Sequence, residues 1–252
     1  DKGTMIMDEW HPLWGISEIP SVVHREIPRV MGKAELRDIA KGFGEASQNV
    51  KYAGLDGVEL HAAHSYLLGQ VLSPCYNIRS DEYGGSVANR CRLIVEVAEE
   101  VRAKVGDDFT LGIRLSYDEF LGESGITPEQ ADEQLEILTA TGCFDYFNIT
   151  RGGYHTLHMA IPPMDSPHGG YVEYGHRARK IVGNRAKLFL VGRVTGLDEA
   201  EVILQSGAAD MVAMTRAQFA DPHLVKKAKE GRGQEIIHCI GANECVARIF
   251  DN

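Results

Sequence analysis

Gly57-Val58-Glu59-Leu60-His61-Ala62-Ala63-His64-Ser65-Tyr66 joins a short apolar run to three side chains that can donate a hydrogen bond or transfer a proton. The run predicts a strand over 57–61, and His61, His64 and Tyr66 fall where it ends. In parallel α/β proteins, sites are built at the carboxyl ends of strands, because the loops there vary while the sheet fixes their base. The fold therefore turns on what surrounds this strand.

Upstream, Leu36, Ile39, Ala40, Phe43, Ala46 and Val50 recur at helical spacing until Gly54 stops them. Downstream, a polar loop through Arg79-Ser80-Asp81-Glu82-Tyr83-Gly84-Gly85 leads to a helix over 86–104, striped by Val87, Cys91, Ile94, Val97, Ala98 and Val101. A strand is predicted at 110–116. Thr127-Pro128-Glu129-Gln130 then opens a helix that ends near Gly142, with Thr as cap, Pro in the first turn and Gln completing a capping box. Strands follow at 145–150, 187–191 and 210–214, with helices at 174–182 and 197–206. A last helix is opened by Asp221-Pro222 and closed by Gly231. Between 150 and 170 runs a long Gly-, Pro- and His-rich loop, a length more often functional than idle. Residues 1–32, with Pro12, Pro20 and Pro28, read as an irregular lead-in containing a short extended piece at Thr4-Met5-Ile6-Met7.

Strict β/α alternation predicts a parallel sheet with helices outside it. Five strands suffice for an open doubly wound sheet and make only part of a closed (β/α)₈ barrel; spacing does not choose between them, and the strand count favours the open sheet.

With 252 residues, 44% hydrophobic and 25% charged, the chain has an ordinary globular composition. A formal charge of −10 offers no basic footprint, which speaks against nucleic acid or an anionic membrane as partner. No apolar run is long enough to span a bilayer, and no segment reads as a signal peptide. Five scattered cysteines do not form a secreted disulfide framework, so a reducing, cytoplasmic setting is expected. The chain starts at Asp1 without a methionine and stops at Asn252 soon after a cysteine, so both ends are expected to be cuts in a longer protein.

Chemically, His61, His64 and Tyr66 can polarise a carbonyl or carboxylate and supply a proton. Strand-end histidines also serve merely to satisfy loop carbonyls, and composition leaves the two roles evenly matched. No nearby carboxylate supports a metal site.

The residues that follow carry a resemblance. His61 through Leu72-Ser73-Pro74, Asn77, Arg79-Ser80-Asp81, Tyr83-Gly84-Gly85-Ser86 and Asn89-Arg90 resemble the signature of the Old Yellow Enzyme family of FMN-dependent oxidoreductases. The likeness continues at Arg114-Leu115-Ser116, Gly192-Arg193, Ala208-Ala209-Asp210-Met211-Val212 and Ala220-Asp221-Pro222. Cys239-Ile240-Gly241 and Asn243 are similar to the branch of 2,4-dienoyl-CoA reductase and trimethylamine dehydrogenase.

The resemblance implies a TIM (β/α)₈ barrel of which only about five βα units, matching family strands four to eight, are present. Residues 33–238 would form this C-terminal part of the barrel, after the lead-in 1–32 and before a cysteine-containing segment 239–252. It implies FMN across the barrel mouth, with His61 and His64 binding a substrate oxygen, Tyr66 as proton donor and Arg114 beside the flavin's electron-rich edge. His155 would be a catalytic histidine on the loop after the sixth family strand, with His158 and His168 as rivals. Gly192, Arg193, Thr215 and Arg216 would bind the FMN phosphate at successive strand ends.

Two departures from the family pattern stand out. The branch's iron–sulfur site begins Cys-Ile-Gly-Cys-Asn, whereas here Ala242 replaces the second cysteine, leaving Cys239 and Cys245 as candidate ligands of an altered cluster or as packing residues. The family's first three strands also have no counterpart, which implies further barrel and C-terminal portions outside this chain. The expected activity is hydride transfer between flavin and a small organic substrate, in one form the oxidative N-demethylation of a methylated amine or amino acid. NAD(P)H-dependent reduction of an enone or 2,4-dienoyl-CoA is the alternative, and a non-redox phosphate-binding barrel protein the alternative of another class. A homo-oligomer is expected.

Overall fold

The computed structural model describes residues 13–23 and 25–250; the extended piece expected at Thr4–Met7 lies outside them. In chain order the strands are β1 (Trp14–Gly15), β2 (Arg29–Val30), β3 (Gly57–Ala62), β4 (Thr110–Ser116), β5 (Tyr146–Thr150), β6 (Lys187–Val191) and β7 (Met211–Ala213). The helices are α1 (Lys33–Tyr52), α2 (Leu67–Leu72), α3 (Val87–Val105), α4 (Pro128–Ala140), α5 (Leu157–Ala160), α6 (Val172–Val182), α7 (Leu197–Gln205), α8 (Arg216–Ala220), α9 (Leu224–Lys229) and α10 (Glu244–Phe250).

Strands β3 to β7 form one sheet in the order β3-β4-β5-β6-β7, every neighbouring pair parallel. The order follows the chain without reversal. A doubly wound sheet reverses direction at a switch point, whereas a barrel adds each new strand to the same side of the last. The strand order thus decides what spacing left open, and the five units are consecutive staves of a (β/α)₈ barrel. On the outside, α1 packs on α3, α3 on α4 and α4 on α6.

Alternation along the strands divides the side chains between two faces. Leu60, Leu111, Ile113, Leu115, Phe147, Ile149, Leu188 and Leu190 are buried beneath the helices. The intervening positions face the barrel's inside, and the parallel register sets His61, Arg114, Asn148, Phe189 and Met211 in a single row across all five strands. One layer below, Gly112 leaves room for the Tyr146 ring, which a Cβ at that position would strike, and this ring stacks on Phe189 at 4.2 Å.

Helix starts follow the predicted chemistry. The Ser86 and Thr127 hydroxyls accept from the backbone N–H of Asn89 and Gln130, and Pro128 occupies the first turn of α4. The last predicted helix begins later than expected: Asp221 is buried, accepts from the N–H of His223 and Ile237 and pairs with Lys227, while α9 itself starts at Leu224. Helices α2, α5 and α8 have six residues or fewer, too short to show a period in sequence.

The lead-in is not wholly irregular, because β1 and β2 form a parallel pair. Its Ile16 and Met31 are buried, and the Arg79 guanidinium ties both to the signature loop, donating to the carbonyls of Ile16 (3.3 Å) and Met31 (2.7 Å) while pairing with Asp81. Replacing Arg79 with alanine removes this clamp and strands the carbonyls; the expected loss is about 2–4 kcal/mol of unfolding free energy, read from the denaturant midpoint.

Candidate active site

The turn after β3 presents its side chains in an unusual backbone state. His64 and Ser65 are consecutive non-glycine residues with φ of 54° and 62°, left-handed conformations that cost energy unless neighbours hold them. Several do. The His64 N–H donates to the Ser116 hydroxyl (3.1 Å), which itself donates to the Gly152 carbonyl (2.8 Å), and Gln70 donates to the Ser65 carbonyl (2.9 Å). The His64 ring is fixed by Nε2 against the Thr150 hydroxyl at 3.1 Å. Its centroid lies 5.4 Å from that of His61, and His61 lies 4.7 Å from the half-exposed Tyr66. The three predicted donors therefore meet in one cluster.

Burial pushes the His61 imidazolium down to about 4 and that of His64 down to about 3, and the Arg114 charge beside them acts in the same direction. Both rings are neutral at neutral pH, each carrying one N–H donor and one acceptor nitrogen. Arg114 is itself largely buried; Glu59, whose carboxylate accepts from Asn148 at 2.9 Å, opposes the loss of its charge, and its Nε has no partner among the described residues.

The loop after β5 closes over this cluster. Its Tyr154 ring lies 5.8 Å from Tyr66, whereas His155 turns toward Tyr76 (5.6 Å) and sets Nε2 at 3.7 Å from the Cys75 sulfur. His168 pairs with Glu199 on the surface, and His158 lies on α5.

A cavity of about 340 Å³ continues from His64 and Arg114 to Gly192, Arg193, Thr215 and Arg216, with Cys239 and Cys245 on its wall. Both arginines hold the loop beyond α5: Arg193 binds the carbonyls of Pro163 and Met164, and Arg216 binds the Pro162 carbonyl (2.9 Å) and the Asn243 side chain (2.5 Å). Like that of Arg114, the buried Arg193 Nε has no partner among the described residues. No group of three or more His, Cys, Asp or Glu is placed to hold a metal ion among them.

The phosphate candidates, Arg114 and His64 thus share one cavity, whose wall does not include His61, Tyr66 or His155. Sequence reading passed over Ser116, Thr150 and Tyr154. The first two are register partners at the ends of β4 and β5, and their one available signal was their position on the inward-facing parity of those strands.

Residues 16–235 match the NADH:flavin oxidoreductase / NADH oxidase family. The chain belongs to this family. It is 36% identical over 248 residues to a multifunctional alkene reductase/demethylase of Caballeronia cordobensis, a match that covers 97% of this chain and 36% of the relative. An N,N-dimethylglycine/sarcosine dehydrogenase of Chromohalobacter salexigens is 35% identical, with 96% and 35% covered. Among solved structures, a 2-naphthoyl-CoA reductase in complex with 2-naphthoyl-CoA superposes with a TM-score of 0.85 at 31% identity, covering 92% of this chain and 35% of that one. The chain spans about a third of the length of these relatives. No helix among the described residues is long and apolar enough to cross a membrane.

The two buried histidines make acid stability a property of the site. Because their folded-state values lie below the ordinary 6.5, the unfolded chain binds protons first as pH falls, and stability is lost from about pH 6.5 down toward 3. The melting midpoint of the His61→Gln/His64→Gln protein is expected to fall less steeply than that of the wild type across this window.

Proposed function

We propose that this chain forms the hydride-transfer site of an FMN-dependent oxidoreductase acting on small organic molecules. The observation that carries the reading is the one cavity that joins two arginines at successive strand ends to Arg114 and a neutral histidine, with two buried guanidinium donors unpaired among the described residues. An elongated ligand with an anionic end and an acceptor-rich ring fits such a wall. FMN, when bound, supplies the two-electron hydride chemistry that no side chain here provides.

In this reading Arg193 and Arg216 exchange loop carbonyls for phosphate oxygens, the backbone at Gly192 and Thr215 lines the same end, and Arg114 turns its donors to the electron-rich ring edge. His61 and His64 donate to a substrate oxygen; being neutral, they do so without leaving a buried charge when the site is empty. Tyr66, half open to solvent, exchanges a proton with the substrate, and His155 is a further catalytic candidate on the loop after β5, where it faces Tyr76 and Cys75. Ala242 cannot supply the second thiolate of the branch's cluster, so Cys239 and Cys245 do not fit a four-thiolate site of the usual form and no step is routed through one.

For an N-methylated amino acid, the carboxylate would take the two imidazole N–H groups, the N-methyl carbon would lose a hydride, and the iminium would hydrolyse to formaldehyde and the demethylated amine. The sarcosine dehydrogenase relative supports this direction. The reverse direction, NAD(P)H-driven reduction of an enone, is favoured by the phenol of Tyr66 beside paired neutral donors, and the alkene reductase/demethylase relative is named for both. Five free cysteines suit a reducing, cytoplasmic setting.

Assay of the full-length protein separates the readings. Formaldehyde release from sarcosine supports demethylation, and enone-dependent NAD(P)H consumption supports reduction; a colourless protein that releases no FMN on denaturation removes both in favour of a non-redox phosphate-binding barrel. Arg193→Ala and Arg216→Ala are each expected to weaken FMN binding about 10- to 100-fold, equivalent to about 1.5–3 kcal/mol, by flavin-fluorescence titration of the apoprotein.

A further inference from the structure

His64 is held by the hydroxyls of Ser116 and Thr150, which differ in where their protons go. The Ser116 hydroxyl accepts from the His64 backbone N–H and gives its own proton to the Gly152 carbonyl. Thr150, its register partner on β5, is 1% exposed, and its Oγ1 makes one hydrogen bond among the described residues, the 3.1 Å approach to His64 Nε2. A hydroxyl carries one proton and two lone pairs, and in a neutral imidazole one nitrogen donates while the other accepts. If Nε2 carried the ring proton, Thr150 would accept it, and its own O–H, shut off from solvent, would point at no acceptor. With the bond reversed, that O–H donates to the Nε2 lone pair and no polar group is left over.

The ring has little freedom to escape this choice. Its backbone sits in the left-handed region at φ 54°, tied to Ser116, and the ring stands edge-on to that of His61. Burial disfavours a second proton on it, and the groups facing it, Arg114 and His61, add to that effect. Nδ1 has no hydrogen-bond partner among the described residues, and His64 lines the cavity together with Arg114.

We propose that Thr150 is a positioning residue: its hydroxyl donates to His64 Nε2 and so fixes the ring's proton on Nδ1, the nitrogen left for a ligand. The tautomer decides what this part of the site attracts. With the proton on Nδ1, His64 offers a donor to a carbonyl or carboxylate oxygen; with the proton on Nε2 it would set a lone pair against that oxygen. The choice of a substrate oxygen as the ligand rests on the proposed function, whereas the tautomer can be read with neither substrate nor flavin present.

The experiment is two-bond proton–nitrogen NMR of the full-length protein near neutral pH, with isotope-labelled histidine rings and His64→Gln identifying the His64 signals. In the wild type, Nδ1 is expected to show the shift of a protonated ring nitrogen and Nε2 that of a bare one. Thr150→Ser, which keeps the hydroxyl, should preserve this pattern. In Thr150→Val, which keeps the shape without the hydroxyl, neither form has a partner at Nε2. The proton should then divide between the nitrogens in comparable amounts, where the wild type favours Nδ1 by about tenfold or more. A wild-type ring protonated on Nε2 overturns the proposal, and so does a Thr150→Val ring unchanged from wild type. With about half of the molecules then offering a lone pair, KM for sarcosine or 2-cyclohexen-1-one, whichever the wild type turns over, should rise about twofold in Thr150→Val and return toward the wild-type value in Thr150→Ser. Equal KM values overturn the part of Nδ1 in binding. If the tautomer responds as expected but the wild type turns over neither compound, the substrate reading fails and the assignment of Thr150 stands.

Discussion

A buried guanidinium on the inner face of β4 is the constraint on which the rest of the site depends. Parallel register leaves Arg114 no choice of neighbours: His61 lies beside it on β3, Asn148 on β5, and all three point inward. Glu59 and, after it, Tyr171 favour that charge, while Nε has no partner among the described residues. Burial keeps the two imidazoles uncharged, and the same charge adds to the effect. The Nε donors of Arg114 and Arg193 thus stand without a partner among the described residues, which suits the acceptor-rich ligand of the proposed function.

How much of this could be read from sequence depended on whether the information was local. His61, His64 and Tyr66 share one segment, so their meeting was legible, as were the capped starts at Ser86 and Thr127 and the five strands that periodicity marks. Periodicity alone did not separate barrel from open sheet, because both come from the same alternation; the family resemblance implied the barrel, and the strand order agrees with it. The contacts that hold the site were not legible. Ser116 and Thr150 are small hydroxyl residues with no motif, and their grip on His64 exists only because β4 and β5 align them. Tyr154 belongs to a loop whose path is fixed by Ser65 and Glu119, neither of which signals the contact in sequence.

The opposite mouth of the cavity is built from different material. Arg193 and Arg216 come from strand ends, but their partners are main-chain carbonyls of 162–164 and the side chain of Asn243, which also donates to the Ile161 carbonyl. The cysteine-containing segment is thereby docked on the cavity through Asn243 and through Gly241, where a Cβ would collide with the Arg193 guanidinium. This end is held by a few charge-assisted hydrogen bonds to loops, whereas the histidine end is held by the sheet.

The paired left-handed residues His64 and Ser65 bear on how this protein could change over generations. A glycine at either position would relieve backbone strain of order 1–3 kcal/mol. At 64 it would delete the imidazole, and at 65 the hydroxyl that anchors the loop carrying Tyr154. Under the proposed function, stability alone would favour glycine at this turn and the chemistry would oppose it, so a more stable chain and a working one would make opposite demands on the same two residues.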